Sequence, residues 1–229
     1  IAVVVQRLIH PAASGVIFTA DPATGERDLM VLEAAFGQGE VVVGGRVEPD
    51  TYVMTKAGPA IRDVRVGVKS HKIVAGPDGD LEVPLPSDQA AARVLDDETV
   101  LELGRLAIRV ERHYGTPQDM EFTVEDDGRI WLVQSRPITT LEGPAAPAPA
   151  PTGPDLLVSG LGAAPGVATG KVRVLSQPGE GDLLQPGEVL VAPMTNPDWV
   201  PAIRRAAALV TDGGGMTCHA AIVSRELGV

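Results

Sequence analysis

The chain has 229 residues, 44% of them apolar, and a formal net charge of −11, which is enough length and hydrophobicity for two modest cores. The acidic balance excludes a general nucleic-acid binder, whose phosphate contacts need a basic face, and no apolar run approaches the roughly 18 residues needed to span a bilayer. A single cysteine, Cys218, excludes an internal disulfide and a cysteine-rich zinc site, and it fits a reducing, cytoplasmic setting.

The pattern predicts an α+β unit first, with strands over 2–7, 14–19, 29–34 and 50–54. A helix is expected over 88–113, carried by Ala91, Val94, Leu95, Val100, Leu103, Leu106, Ala107 and Val110 near helical spacing. Two strands, 119–124 and 129–134, close this unit. The stretch "TTLEGPAAPAPAPTGPD", residues 139–155, replaces all periodicity with Pro and Ala and predicts a semi-extended spacer. Short strands are then expected over 170–175 and 188–192. In "TNPDWVPAIRRAA" Asn196 suits a helix N-cap and Pro197 the first helical position. A buried strand follows in "AALVTD", and a helix after "GGGMTCH". The chain opens at Ile1 in a strand pattern and stops at Val229 directly after a helical one, so it is expected to be part of something longer.

In "QDMEFTVEDDGRIWLVQSRP" an Asp-Gly pair between alternating runs predicts a hairpin with a two-residue turn at Asp127 and Gly128. Asp126 then faces Arg129, Glu121 faces Gln134 and Asp119 faces Arg136. All four last-named groups project to one face, and Met120, Phe122, Val124, Trp131 and Val133 to the other. Two carboxylates, an amide oxygen and a guanidinium suit a magnesium-bound triphosphate. From the hairpin alone, an amphipathic ribbon whose wet face carries an Asp–Arg pair is the simpler reading.

"GGGMTCHAAIVSRELG" places Gly213, Gly214 and Gly215 before a helix that begins near His219. Glycines let amides turn toward an anion, and a helix start adds unpaired N–H groups and partial positive charge. A phosphate carried on His219 is expected to be cradled by those amides and by Thr217, with the ring held neutral by the same field. An inert helix start built from Gly and Thr competes with that reading, and the residues alone leave both open. Cys218 reads as a space-filling thiol, with a catalytic thiolate as the alternative. His10, His71 and His113 have structural contexts.

Taken together, "SGVIFTADPATGE", "FGQGEVVVGGRVEPDTYVM", "QDMEF", "IWLVQSRPITT", "GLGAAPGVATGKVRV" and "TDGGGMTCHAAIVSRELGV" resemble the phosphoenolpyruvate synthase and pyruvate phosphate dikinase family. The resemblance implies the C-terminal part of an ATP-grasp domain over 1–138 and a linker over 139–155. It implies a β/β/α swivelling phosphohistidine domain over 156–229, truncated at its C-terminus. By position His219 matches the phosphorylated histidine, and Asp119, Glu121, Gln134 and Arg136 match residues that hold Mg2+ and ATP. Gln6, Leu8 and Ile9 fall in a segment similar to one lining the adenine pocket. Thr217 matches a threonine modified by a regulatory kinase. The family scheme moves a phosphoryl group from ATP to histidine and then to pyruvate, releasing AMP and phosphate. The family's early ATP-grasp half and its pyruvate-binding barrel are not in this sequence, so this stretch by itself is not expected to complete the reaction. Rifamycin phosphotransferases share both modules but separate them by a large insert, which favours the dikinase reading over that alternative. A nucleotide-binding module without catalysis is the third reading.

Overall fold

The computed structural model describes residues 3–77, 79–138, 141, 157–164 and 166–229. In chain order these form β1 (Ala13–Phe18), β2 (Leu29–Phe36), α1 (Glu40–Val43), β3 (Asp50–Thr55), β4 (Ala60–Arg65), β5 (His71–Gly76) and β6 (Gly79–Pro84). Then come α2 (Ser87–Ala90), α3 (Asp97–Tyr114), β7 (Gln118–Val124) and β8 (Ile130–Pro137). The C-terminal stretch holds β9 (Val172–Val174), β10 (Val189–Ala192), α4 (Val200–Ile203), β11 (Ala208–Thr211) and α5 (His219–Leu227). The spacer expected over 139–155 falls almost wholly outside the described residues. No described helix is long and apolar enough to cross a membrane.

The fold is mixed α and β. Six antiparallel strands form the larger sheet in the order β4-β3-β2-β1-β7-β8. Strands β1 and β2 read as continuous apolar runs because both sheet faces are covered there. On one face Ile17, Met30, Leu32, Tyr52, Met54, Met120 and Phe122 pack against Val100, Leu103 and Ala107 of α3. On the other, Val16, Phe18 and Ala35 pack against Val41, Val42, Val47 and Ile73. The second face carries the polar groups discussed below.

Several expectations change. Residues 3–7 form no strand, and Val3, Val4 and Val5 are exposed. An extended segment becomes a strand only when a neighbour takes its backbone hydrogen bonds, and no described strand does so here. The helix expected over 88–113 is split into α2 and α3, because Asp96 takes an extended conformation and its carboxylate accepts from Thr99 N at 2.8 Å. The short α2 already ends at Ala90, and the N-cap at Asp96 starts α3 afresh. Gly115 at φ 73° closes α3 at the other end.

A buried network fixes the start of β3. Asp50 and Lys69 form an ion pair with no exposed side-chain surface. Lys69 Nζ also donates to the carbonyls of Gly67 and Ala92 at 2.9 and 2.8 Å, and Asp50 accepts from the amides of Gly67 and Val94 at 3.0 and 2.7 Å. Every charge is therefore matched locally, which is the condition for burying it.

The C-terminal strands form a parallel sheet in the order β11-β10-β9 over a core of Leu184, Leu190, Trp199 and Ile203. Asn196 caps as expected, accepting from Asp198 N at 3.1 Å, and leads through a 3-10 turn into α4. Arg173 forks onto Glu188 at 3.0 and 2.8 Å and holds that carboxyl down at about 2.

Candidate functional site

The β7–β8 hairpin pairs Asp119 with Arg136 and Glu121 with Gln134, as the sequence predicts, but not by the predicted turn. Glu125 N donates to Arg129 O, so the loop is the three residues Asp126, Asp127 and Gly128, with Gly128 at φ 81°. A type I turn followed by a left-handed glycine has that form. It shifts the pairs near the turn by one, so that Phe122 faces Leu132 and Thr123 faces Trp131. A bulge after Glu121 then restores the register further out. Val133 and Trp131 consequently leave the core face on which the sequence put them. Ile130 packs toward α3, Val133 lines a cleft beside Glu121, and Trp131 Nε1 donates to Glu125 at 2.7 Å.

Register across the larger sheet places Asp119, Glu121, Phe18, Val16 and Glu33 on one face. Arg136 Nε and Nη2 both reach Asp119 Oδ2, at 2.8 and 2.7 Å. Burial raises the Asp119 carboxyl above its usual range, and Arg136 opposes that shift. Glu121 is raised by burial first, then by the negative charges of Asp119 and Glu40. Two buried carboxylates with raised pKa values, beside the amide of Gln134, are a donor set that fits a hard divalent cation. No preformed cluster of three or more His, Cys, Asp or Glu exists among the described residues. A cation here would complete its shell with ligand or water oxygens.

His219 opens α5 and is partly exposed, and its Nδ1 lies 3.1 Å from Thr195 Oγ1. When Nδ1–H donates to that hydroxyl, Nε2 keeps its lone pair for attack. The ring's pKa lies below the ordinary histidine value because of burial, with Glu226 pulling the other way. Burial therefore supplies the neutrality expected of the helix field. On the side of α5 that carries Ile222, Arg225 and Glu226, a cleft of about 320 Å3 opens toward Asp119, Arg136 and Phe18.

The glycine loop does not form the free anion cradle expected of it. Met216 N donates to Glu33 Oε1 at 2.7 Å, and Thr217 N and Oγ1 both donate to Glu33 Oε2, at 3.0 and 2.5 Å. A protein carboxylate already fills that part of the nest. Gly214 has φ 100°, and a Cβ on Gly215 would lie 2.4 Å from Glu33 Oε2. Cys218 is 2% exposed and its thiol is pushed up by burial, which supports the space-filling role.

Gln6, Leu8 and Ile9 lie on the unpaired N-terminal segment and line neither of the clefts beside Glu121 and Asp119. Within this segment the Arg7 guanidinium lies 5.9 Å from the centre of the Trp131 ring. Three residues escaped the sequence reading: Glu33, Thr195 and Arg225. Glu33 did leave a signal, as the lone charge inside the apolar run "LMVLEAAF". Arg225 is largely buried between the cleft and Ala163, to whose carbonyl it donates at 2.7 Å.

Comparison with known proteins places the chain among its relatives. Residues 1–152 match the family described as pyruvate phosphate dikinase, AMP/ATP-binding domain, and residues 184–229 match the PEP-utilising enzyme, mobile domain. The chain is 47% identical, over its whole length, to a probable phosphoenolpyruvate synthase of Archaeoglobus fulgidus, and 42% identical to a phosphoenolpyruvate synthase of Pyrococcus furiosus. It is 38% identical over 98% of its length to a phosphoenolpyruvate synthase of Pseudomonas aeruginosa. It spans 31%, 29% and 31% of those three proteins. A family match over two consecutive modules, with the hairpin and the histidine loop inside them, means that this chain belongs to the phosphoenolpyruvate synthase and pyruvate phosphate dikinase family.

Proposed function

We propose that this chain is the part of a phosphoenolpyruvate synthase that takes a phosphoryl group from ATP onto His219 and delivers it to pyruvate. One observation supports the reading above all: the helix that begins at His219 faces the Asp119–Arg136 pair across a shared cleft. The same reading divides the chain into an ATP-grasp part over 1–138, a linker over 139–155 and a swivelling carrier domain from 156 onward. Asp119, Glu121 and Gln134 hold Mg2+, which screens phosphate charge when bound. Arg136 stays beside Asp119 to meet the phosphate oxygens. Gln6, Leu8 and Ile9 contribute to the adenine side.

In the chemical step the neutral imidazole gives its Nε2 lone pair to the β-phosphorus. The bond from that phosphorus to the AMP oxygen breaks, and its electron pair leaves on AMP. Water takes the terminal phosphoryl group as phosphate, and pyruvate later receives the group from histidine. Thr195 holds the ring by Nδ1 through both events. Thr217 is the residue for a regulatory kinase in this reading, and at 1% exposure it becomes reachable only after leaving Glu33. A cytoplasmic setting belongs to the same proposal.

The test is stoichiometric. The intact protein with ATP, Mg2+ and pyruvate should form AMP, phosphate and phosphoenolpyruvate in equal amounts, and His219→Gln should form none. ADP as the product, or AMP formed only with an acceptor other than pyruvate, overturns the assignment.

A further inference from the structure

Glu33 is a carboxylate in the middle of β2 with no exposed surface and no cation bonded to it among the described residues. Its near partners are Met216 N, Thr217 N and Thr217 Oγ1, with Thr51 Oγ1 at the margin, 3.5 Å away. The three short contacts join residues 183 and 184 positions apart, from the six-stranded sheet to the loop before α5. Burial raises the Glu33 carboxyl, and the loop's donors oppose the shift. The charge of Arg225 opposes it too, and while the loop is seated its donors stand where water would otherwise solvate the carboxylate.

The geometry of the seat is specific. Glu33 faces Val16 on β1, Val16 faces Glu121 on β7, and Glu121 faces Gln134 on β8, so one row crosses the sheet from the seat to the candidate nucleotide face. Two strand spacings separate Glu33 from Glu121, roughly 10 Å. A Cβ at position 215 would come within 2.4 to 2.6 Å of three atoms of the Glu33 carboxyl group, so any side chain there forces that carboxylate out of its seat. Beside it Cys218 and Met194 pack on Gly45, whose added Cβ would sit 3.1 Å from Cys218 Cβ and 2.8 Å from Met194.

We propose that Glu33 is the docking socket of the carrier loop, a positioning residue that sets His219 against the Asp119–Arg136 face and lets go when the carrier moves. The proposal rests on the carrier reading of His219. The socket suits a reversible contact: once the loop leaves, the carboxylate and the two amides are wetted rather than stranded. It also accounts for the filled nest, because the amides expected to hold phosphate hold Glu33 while the loop is docked.

Cys218, the one cysteine of the chain, is a built-in reporter of docking. In the intact protein, maleimide modification of the peptide that contains Cys218 should be slow in the wild type and at least tenfold faster in Glu33→Gln and in Gly215→Ala, which breaks the seat by bulk with Glu33 intact. In the intact protein, Glu33→Gln should lower labelling of His219 from ATP at least tenfold and leave labelling from phosphoenolpyruvate within twofold of wild type. Equal loss from both donors, or Cys218 equally protected in both variants, overturns the socket. Wild-type protein labelled from neither donor overturns the carrier reading instead, and the thiol measurement then still decides whether Glu33 seats the loop.

Discussion

Asp50 and Glu33 are carboxylates without exposed surface on neighbouring strands of one sheet, and they are satisfied in opposite ways. Asp50 has a buried lysine and two amides from its own vicinity, all fixed before the C-terminal part of the chain is considered. Among the described residues Glu33 has no cation bonded to it, Arg225 acting only through its charge, and its short hydrogen bonds come from Met216 and Thr217. A buried charge matched at home is part of the scaffold. One matched only by a distant loop marks a place where two parts of the molecule meet, and its cost is borne only in one arrangement.

Substitution separates the two. Asp50→Ala leaves Lys69 buried without its partner, and denaturant unfolding should show a loss of about 3–5 kcal/mol. Glu33→Gln should move the same unfolding midpoint by about 1 kcal/mol or less, since the loop can detach and both sides rehydrate. A large loss for Glu33→Gln would erase the distinction. Glu121→Ala should weaken magnesium-nucleotide use at least tenfold with the fold intact, as measured by nucleotide-dependent AMP formation. Unchanged nucleotide dependence removes that residue from the site.

Smaller effects sharpen the description of the histidine. Thr195→Val removes the hydroxyl beside Nδ1 and should slow phosphorylation of His219 about fivefold, the equivalent of roughly 1 kcal/mol. Its effect should fall on the rate rather than on nucleotide affinity. The direction of the His219 shift gives a pH test: a lowered pKa keeps the ring neutral further into acid. The acid limb of the phosphorylation rate should therefore lie below the ordinary histidine value of about 6.5. A limb above that value would mean that Glu226, and not burial, controls the ring.

Local pattern made some of this legible and distance hid the rest. Apolar runs mark β1 and β2, and the local pattern also marks β3 and β7 nearly as they stand, because each strand presents one or two buried faces. The hairpin pairs at Asp119 and Glu121 came out right although the turn was misjudged: a three-residue loop shifts the register by one and a bulge shifts it back. That bulge carries no composition signal strong enough to find. The helical spacing over 88–113 runs through Asp96, whose capping role is signalled by an Asp placed before an apolar helical run. Strands β4, β5 and β6 were missed, being largely half-buried or exposed and so weakly patterned. The contact of Glu33 with Thr217 spans 184 positions, and no local rule reaches that far.

The most direct measurement uses ATP labelled at the β-phosphate and the intact protein. The account predicts acid-labile, base-stable label confined to the peptide containing His219, and none in His219→Gln. Label that survives acid, or that persists on the Gln variant, would contradict it.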